Sequence, residues 1–169
     1  MTHHDSVLAA FRQHQLENGM ALDAASDRVH LTPVRYGAEV CAFLADFHCK
    51  GLVERDGVIT EYQNFLVGIN FDDNYLHRFD TARVLTVCHP MAIFHPNIKP
   101  PFICAGSMQP GTPLVDLLYQ VYEIITYQNV EMRESHALNP AACAWARRNQ
   151  AHFPIDRRPL RRRRCQGEG

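Results

Sequence analysis

The chain has 169 residues, is 46% apolar and 21% charged, and carries a net charge of −1, a composition that suits one globular domain burying roughly 70% of its unfolded surface. No run of eighteen or more apolar residues is present, which excludes an ordinary membrane-spanning helix. Met1-Thr2-His3-His4-Asp5 lacks the basic region and apolar core of a secretory signal, so a cytoplasmic location is expected.

Ser6 to about Met20 reads as a first helix, capped by Asp5 or Ser6, with Val7, Leu8 and Phe11 on one face and a break at Asn18-Gly19. From Val40 to Val53, Cys41, Phe43, Ala45, Phe47 and Cys49 alternate with a more polar set, the pattern of a strand with one covered face, and both cysteines are expected in the core. Glu54-Arg55-Asp56-Gly57 is a hairpin turn. Tyr62 to Phe71 then forms a strand with Phe65, Val67, Ile69 and Phe71 inward, and a third strand follows near Val84 to Cys88. Short connections imply an antiparallel meander.

Thr112-Pro113 starts a helix, because threonine can cap orphan amides and proline at the first turn forfeits no hydrogen bond. Leu114, Leu117, Leu118, Val121, Tyr122 and Ile125 recur at spacings of three and four and face the sheet, leaving Asp116, Gln120, Glu123 and Gln128 outward. Asn139-Pro140 opens another helix by the same cap-plus-proline logic, and Pro154 bars its continuation. Helix, antiparallel strands and then helices make an α+β domain over residues 1–155. Six arginines against Asp156 and Glu168 put residues 156–169 at +4, so the body carries −5. The run 157–164 reads as a disordered basic tail able to bind an acidic partner, or simply solvated; its low aromatic content argues against nucleic acid.

Six cysteines without paired spacing point to a reducing compartment. Cys88, His89, His95 and Cys104 are the tightest metal-capable group, but no C-x-x-C or H-x-x-x-H element supports them, and no metal is expected. The chemically richest stretch is His95-Pro96-Asn97-Ile98, followed seven residues after Asn97 by Ile103-Cys104. A thiol passes acyl groups well because thiolate is nucleophilic and a good leaving group, and a nearby asparagine amide can stabilise the tetrahedral oxyanion. Asn97 equally suits a turn that satisfies its own backbone.

These residues resemble the ubiquitin-conjugating enzyme family, whose signature is His-Pro-Asn followed by an Ile-Cys or Val-Cys pair. Asn64 to Tyr75, Val87 to Phe94, Leu114 to Thr126 and Leu138-Asn139-Pro140-Ala141-Ala142 also match it in order, so about two thirds of the chain is covered. The resemblance implies a UBC-like fold: an N-terminal helix, a meander of about four strands, an active-site loop and two or more C-terminal helices. It implies that Cys104 takes the C-terminal glycine of a ubiquitin-like modifier as a thioester from an activating enzyme and passes it to an amine of a target protein. ATP is used by the activating enzyme, and the chain needs no cofactor of its own. The first helix would contact the activating enzyme and the outer face of the 114–126 helix would hold the modifier; His95 would fix the turn and Asn97 the oxyanion or the loop.

His136, 32 residues after Cys104, stands where many members place an acidic residue that orients the incoming lysine, and a neutral imidazole there could accept its proton; an exposed loop histidine explains the position equally well. Between His95 and Cys104 the chain is one residue shorter than the usual spacing, with Lys99-Pro100-Pro101-Phe102 in place of a glycine-containing turn. Gln109 to Pro113 replaces the Trp-Ser-Pro stretch through which many members meet ligases. Divergence of this kind is similar to the family's bacterial branch. The competing reading is a non-catalytic scaffold or modifier-binding protein of the same fold.

Overall fold

The computed structural model of the protein describes residues 3–162. Helix α1 (His3–Ala24) leads into strands β1 (Val29–Tyr36), β2 (Glu39–Arg55) and β3 (Val58–Asn70). A short helix α2 (Thr81–Val84), strand β4 (Leu85–His89), the two-residue strands β5 (Ile98–Lys99) and β6 (Phe102–Ile103), and helices α3 (Leu114–Ile125) and α4 (Pro140–Arg148) complete the order. Strands β1-β2-β3-β4 form one antiparallel sheet in sequence order, the meander expected from the short connections. The α+β class and the order of helix, four-stranded sheet and later helices agree with the sequence reading. Among the described residues no helix is long and apolar enough to cross a membrane.

The helix does not break at Asn18-Gly19 but runs on to Ala24. Glycine there serves close approach: a Cβ on residue 19 would stand 2.6 Å from Leu114 Cδ2 and 3.3 Å from Leu31 Cδ1. Leu8, Gln15, Gly19 and Leu22 form the buried stripe, whereas Val7, placed inward by the sequence reading, is 48% exposed. The gain from burying Leu22 offsets the roughly 1 kcal/mol that glycine costs a helix interior.

Strand β1 was not foreseen. Its alternation is short, with Val29 and Leu31 buried and the strand exposed from Val34 onward. Pro33, which cannot donate to a ladder, is tolerated because β1 is the sheet edge. Opposite it, the β1–β2 register shifts between Val34 and Arg35, whose partners are Ala42 and Val40, leaving Cys41 as the extra residue of a bulge. Cys41 is therefore half-buried and turned toward the Val34 carbonyl, not a core residue, while Cys49 is fully buried as expected. The turn at Asp56-Gly57 has both residues at positive φ, 52° and 78°, the backbone that matches hairpin twist. Phe65, Val67, Ile69 and Phe71 all point inward.

Across the inner face lies α3, with Leu114, Leu117, Leu118, Val121, Ile124 and Ile125 at 1% exposure or less. Its first amide is capped from a distance: Leu114 N–H donates to Gln15 Oε1 of α1 at 2.8 Å. Thr112, the expected cap, instead donates its hydroxyl to Gln109 O and accepts Tyr75 OH on its carbonyl. Asn139 caps α4 as its sequence suggests, accepting from Ala142 N–H at 3.1 Å. A smaller apolar cluster of Leu52, Phe94, Tyr127 and Ala142 lies under α4, flanked by Trp145 and Phe153.

The basic run is not free chain where it is described. Asp156 is 3% exposed and accepts from Lys50 N–H, Tyr122 hydroxyl donates to Arg158 O, and Leu160 is buried at 1%. Arg162 donates its backbone N–H to Ala25 O and its guanidinium to Ala24 O, covering carbonyls at the end of α1. One leucine in a run of arginines carries no periodic signal, which is why the sequence reads as a tail. Residues 163–169, including Arg163, Arg164 and Cys165, lie outside the described residues.

Candidate active site

The chain enters the site along the far end of β2. Glu54 N–H donates to Ala92 O and Phe94 N–H to Leu52 O, so residues 92–94 are held as an added rung. His95 follows at 1% exposure, and its Nδ1 accepts from Asn97 N–H at 3.0 Å. With Nδ1 an acceptor, the proton of the neutral ring sits on Nε2, which has no hydrogen-bond partner among the described residues. Burial lowers the imidazole pKa to about 3, so His95 stays neutral and serves as the turn's anchor. The Tyr127 ring packs edge-on against it, 4.4 Å between centroids, and the Tyr127 hydroxyl donates to Phe94 O.

The spacing of seven between Asn97 and Cys104 is that of a tight hairpin. Ile98 faces Ile103, Lys99 faces Phe102, and Pro100-Pro101, joined by a cis peptide, make the two-residue turn. Asn97 and Cys104 are the next rung: Cys104 N–H donates to Asn97 O at 2.8 Å. The hairpin is docked on the sheet by Val87 N–H to Pro101 O, 2.9 Å. Lys99-Pro100-Pro101-Phe102 thus closes the shortened loop without a glycine.

The Asn97 side chain, 7% exposed, is engaged at both ends. Its Nδ2 donates to Cys104 O at 3.2 Å, and its Oδ1 accepts from Glu131 N–H at 2.8 Å. One amide therefore braces the thiol-bearing residue and the loop after α3 together. From α3, Gln120 Nε2 donates to Ala105 O at 3.3 Å. Two consecutive carbonyls, of Cys104 and Ala105, are so held by side chains from opposite directions.

Cys104 is half-buried and forms a shared wall between two cavities. One, about 350 Å³, is polar and lined by Asn97, Ser107, Gln120, Asn129 and Glu131. The other, about 430 Å³, is lined by Arg78, Phe79, Asp80, Phe102, Ile103 and Leu138. Hydrogen bonds from the Arg133 guanidinium and backbone N–H hold the Glu131 carboxyl below the usual carboxylate range. His136 is exposed and lines neither cavity; its Nδ1 lies 4.0 Å from Glu131 Oε2. The structure brings Cys104 and Asn97 together and leaves His136 one carboxylate removed. Glu131 and Gln120 escaped the sequence reading because one sits in a loop without periodicity and the other looked like any outward helix residue.

The other described thiols differ in setting. Cys49 and Cys143 are buried, and burial pushes both pKa values up. Cys88 is half-buried on β4, as expected of a strand residue, and points to Thr86 O. Among the described residues no three His, Cys, Asp or Glu side chains converge to hold a metal. Compared with known proteins, the chain matches no family model and no curated sequence.

Proposed function

We propose that this chain is a conjugating enzyme of UBC-like fold for a ubiquitin-like modifier, with Cys104 as the thioester-forming nucleophile. The observation that carries the reading is the rung pairing Asn97 with Cys104, which sets a half-buried thiol between two cavities and places an amide donor at its backbone. The Cys104 thiolate attacks the carbonyl carbon of a thioester on an activating enzyme; the carbonyl electron pair moves to oxygen, and collapse of the tetrahedral intermediate expels the enzyme's thiolate. An amine of a target protein then attacks the new thioester, its nitrogen bonding to carbon as the C–S bond breaks, and its proton passes to water. The second Nδ2 hydrogen of Asn97 is available to the oxyanion, a role whose loss typically costs about 3–4 kcal/mol of barrier stabilisation. Glu131, anionic in the polar cavity, suits the ammonium side of the acceptor better than His136. ATP is spent by the activating enzyme in the cytoplasm, and the partners are that enzyme, the modifier and the target.

The test is to express tagged Cys104→Ser in the native host and examine residue 104 by mass spectrometry, since serine holds a modifier as a slower-exchanging oxyester. An adduct ending in glycine supports the reading and identifies the modifier. Absence of any adduct, with the native protein also uncharged while activating enzyme and modifier are demonstrably present, overturns it in favour of a non-catalytic scaffold.

A further inference from the structure

Helix α3 ends in a hydrogen-bond pattern that usually calls for glycine. Tyr127 N–H donates to Ile124 O and Gln128 N–H to Glu123 O, a pair of bonds that closes the last turn when the first residue beyond the cap takes left-handed backbone. That residue is Tyr127, with φ of 59°. Asp56 is the other non-glycine residue at positive φ among the described residues, and its hairpin accounts for it. A Cβ crowds its own backbone in this region, so the conformation persists only where the surroundings impose it. The contacts that impose it belong to the tyrosine side chain. Tyr127 is 2% exposed, its ring lies 4.9 Å from that of Phe153 and 4.4 Å from that of His95 between centroids, and its hydroxyl donates to Phe94 O.

Packing of the ring asks for no hydroxyl, and the carbonyl that the hydroxyl meets stands next to His95. From there the bonds lead to the thiol-bearing residue: His95 Nδ1 accepts from Asn97 N–H, and Asn97 Nδ2 donates to Cys104 O. The left-handed turn at Tyr127 also redirects the chain, so that Glu131 donates its N–H back to Asn97 Oδ1. One short loop thus grips the His95-Pro96-Asn97 turn from both ends, at Phe94 O by a side chain and at Asn97 by a backbone N–H. Burial pushes the Tyr127 pKa up, so the hydroxyl stays a donor at any working pH. We infer that Tyr127 is a positioning residue for acyl transfer: it touches no reacting atom, and by fixing Phe94, His95 and the start of the 127–131 loop it sets the orientation of the Asn97 amide at Cys104. The inference rests on the proposed function, because it presumes an acyl group on Cys104. The step served is the aminolysis already described: the amine nitrogen bonds to the thioester carbon, the Cys104 thiolate leaves, and the nitrogen's proton goes to water.

The experiment uses the full chain and Tyr127→Phe, which keeps the ring and removes only the hydroxyl. Cys104 is loaded with a small N-acetylglycyl group by thiol exchange, so no modifier need be known, and its discharge to Nα-acetyl-lysine amide is followed at residue 104 by mass spectrometry. Tyr127→Phe is expected to slow discharge about three- to tenfold, the range set by one neutral hydrogen bond. In an Asn97→Ala background the same substitution should change the rate by less than about 1.5-fold, because the group through which it acts is gone. In isotope-labelled protein without an acyl group, Tyr127→Phe should also shift the nuclear magnetic resonance signals of the Asn97 side-chain amide, which are identified by their absence from Asn97→Ala. Unchanged discharge, an equal slowing in the Asn97→Ala background, or unmoved Asn97 signals overturns the inference and leaves the proposed function standing. Failure of wild-type Cys104 to accept any acyl group overturns the underlying function as well.

Discussion

Replacing Leu160 by alanine tests whether the arginine-rich segment belongs to the fold. Leu160 is 1% exposed within the main core, and the segment around it is tied down through Asp156, Arg158 and Arg162. Removing three buried carbons forfeits about 2 kcal/mol of transfer free energy, and incomplete collapse around the gap adds to it, giving about 3 kcal/mol, within the ordinary Leu→Ala range. With a urea dependence of about 2 kcal/mol per molar for a domain of this size, the unfolding midpoint should drop by about 1.5 M. The single Trp145, packed near Phe94, Tyr127 and Phe153, reports unfolding by fluorescence, and far-ultraviolet circular dichroism should give the same midpoint. Arg161→Ala, at an exposed position in the same run, is the control and should move the midpoint little. A Leu160→Ala midpoint within about 0.25 M of the wild type, as a solvated tail would show, refutes the placement of the segment.

The same segment predicts an acid sensitivity. Burial would raise the Asp156 pKa, but the Arg158 guanidinium and the N–H groups of Lys50 and Arg158 outweigh it and lower the carboxyl from its usual 3.8 to about 2. A depressed folded-state pKa gives stability that is present above about pH 4 and lost as pH falls toward 2, worth about 2 kcal/mol. Chemical denaturation from pH 6 down to pH 2 should show that loss, and the pH dependence in this window should be smaller by that amount in Asp156→Asn. Gly19→Ala, which helix propensity alone would make stabilising by about 1 kcal/mol, should instead destabilise by about 1 kcal/mol or more because its Cβ meets buried Leu114; a raised midpoint would contradict the packing of α1 on α3. Asn97→Ala should slow acyl transfer through Cys104 by about 10²–10³-fold and leave Glu131 N–H and Cys104 O unpaired, at a further cost of about 1–3 kcal/mol in stability; unchanged single-turnover discharge would remove Asn97 from the site.

Local grammar was legible where one physical requirement had one sequence solution. Asn139-Pro140 could only open a helix economically, and it does. Asp56-Gly57 supplied the positive φ that a tight hairpin needs, and the three-and-four spacing of α3 named its buried face except for Ile124. Elements failed to show when the deciding partner was remote. Gly19 reads as a breaker until Leu114 is known to press on it, and Thr112 reads as a cap until Gln15, 99 residues from Leu114, takes that amide. Cys41 looks like a core residue until a bulge against the edge strand turns it aside.

The site divides in the same way. The sequence by itself put Asn97 and Cys104 in one site, through their spacing and the resemblance it carries; that Pro100-Pro101 closes a two-residue hairpin whose next rung pairs them was decided by the structure. It also determined the order of helix, meander, loop and helices, since most of these pieces are written in short-range periodicity and turn chemistry, β1 excepted. Only the tertiary structure decided which groups share a cavity with Cys104. Glu131 is brought in by a hydrogen bond to Asn97 from 34 residues away and Gln120 by the packing of α3, while His136 is left at the surface. Hydrogen bonds and cavities depend on the positions of atoms distant in sequence, and a linear pattern carries no record of them.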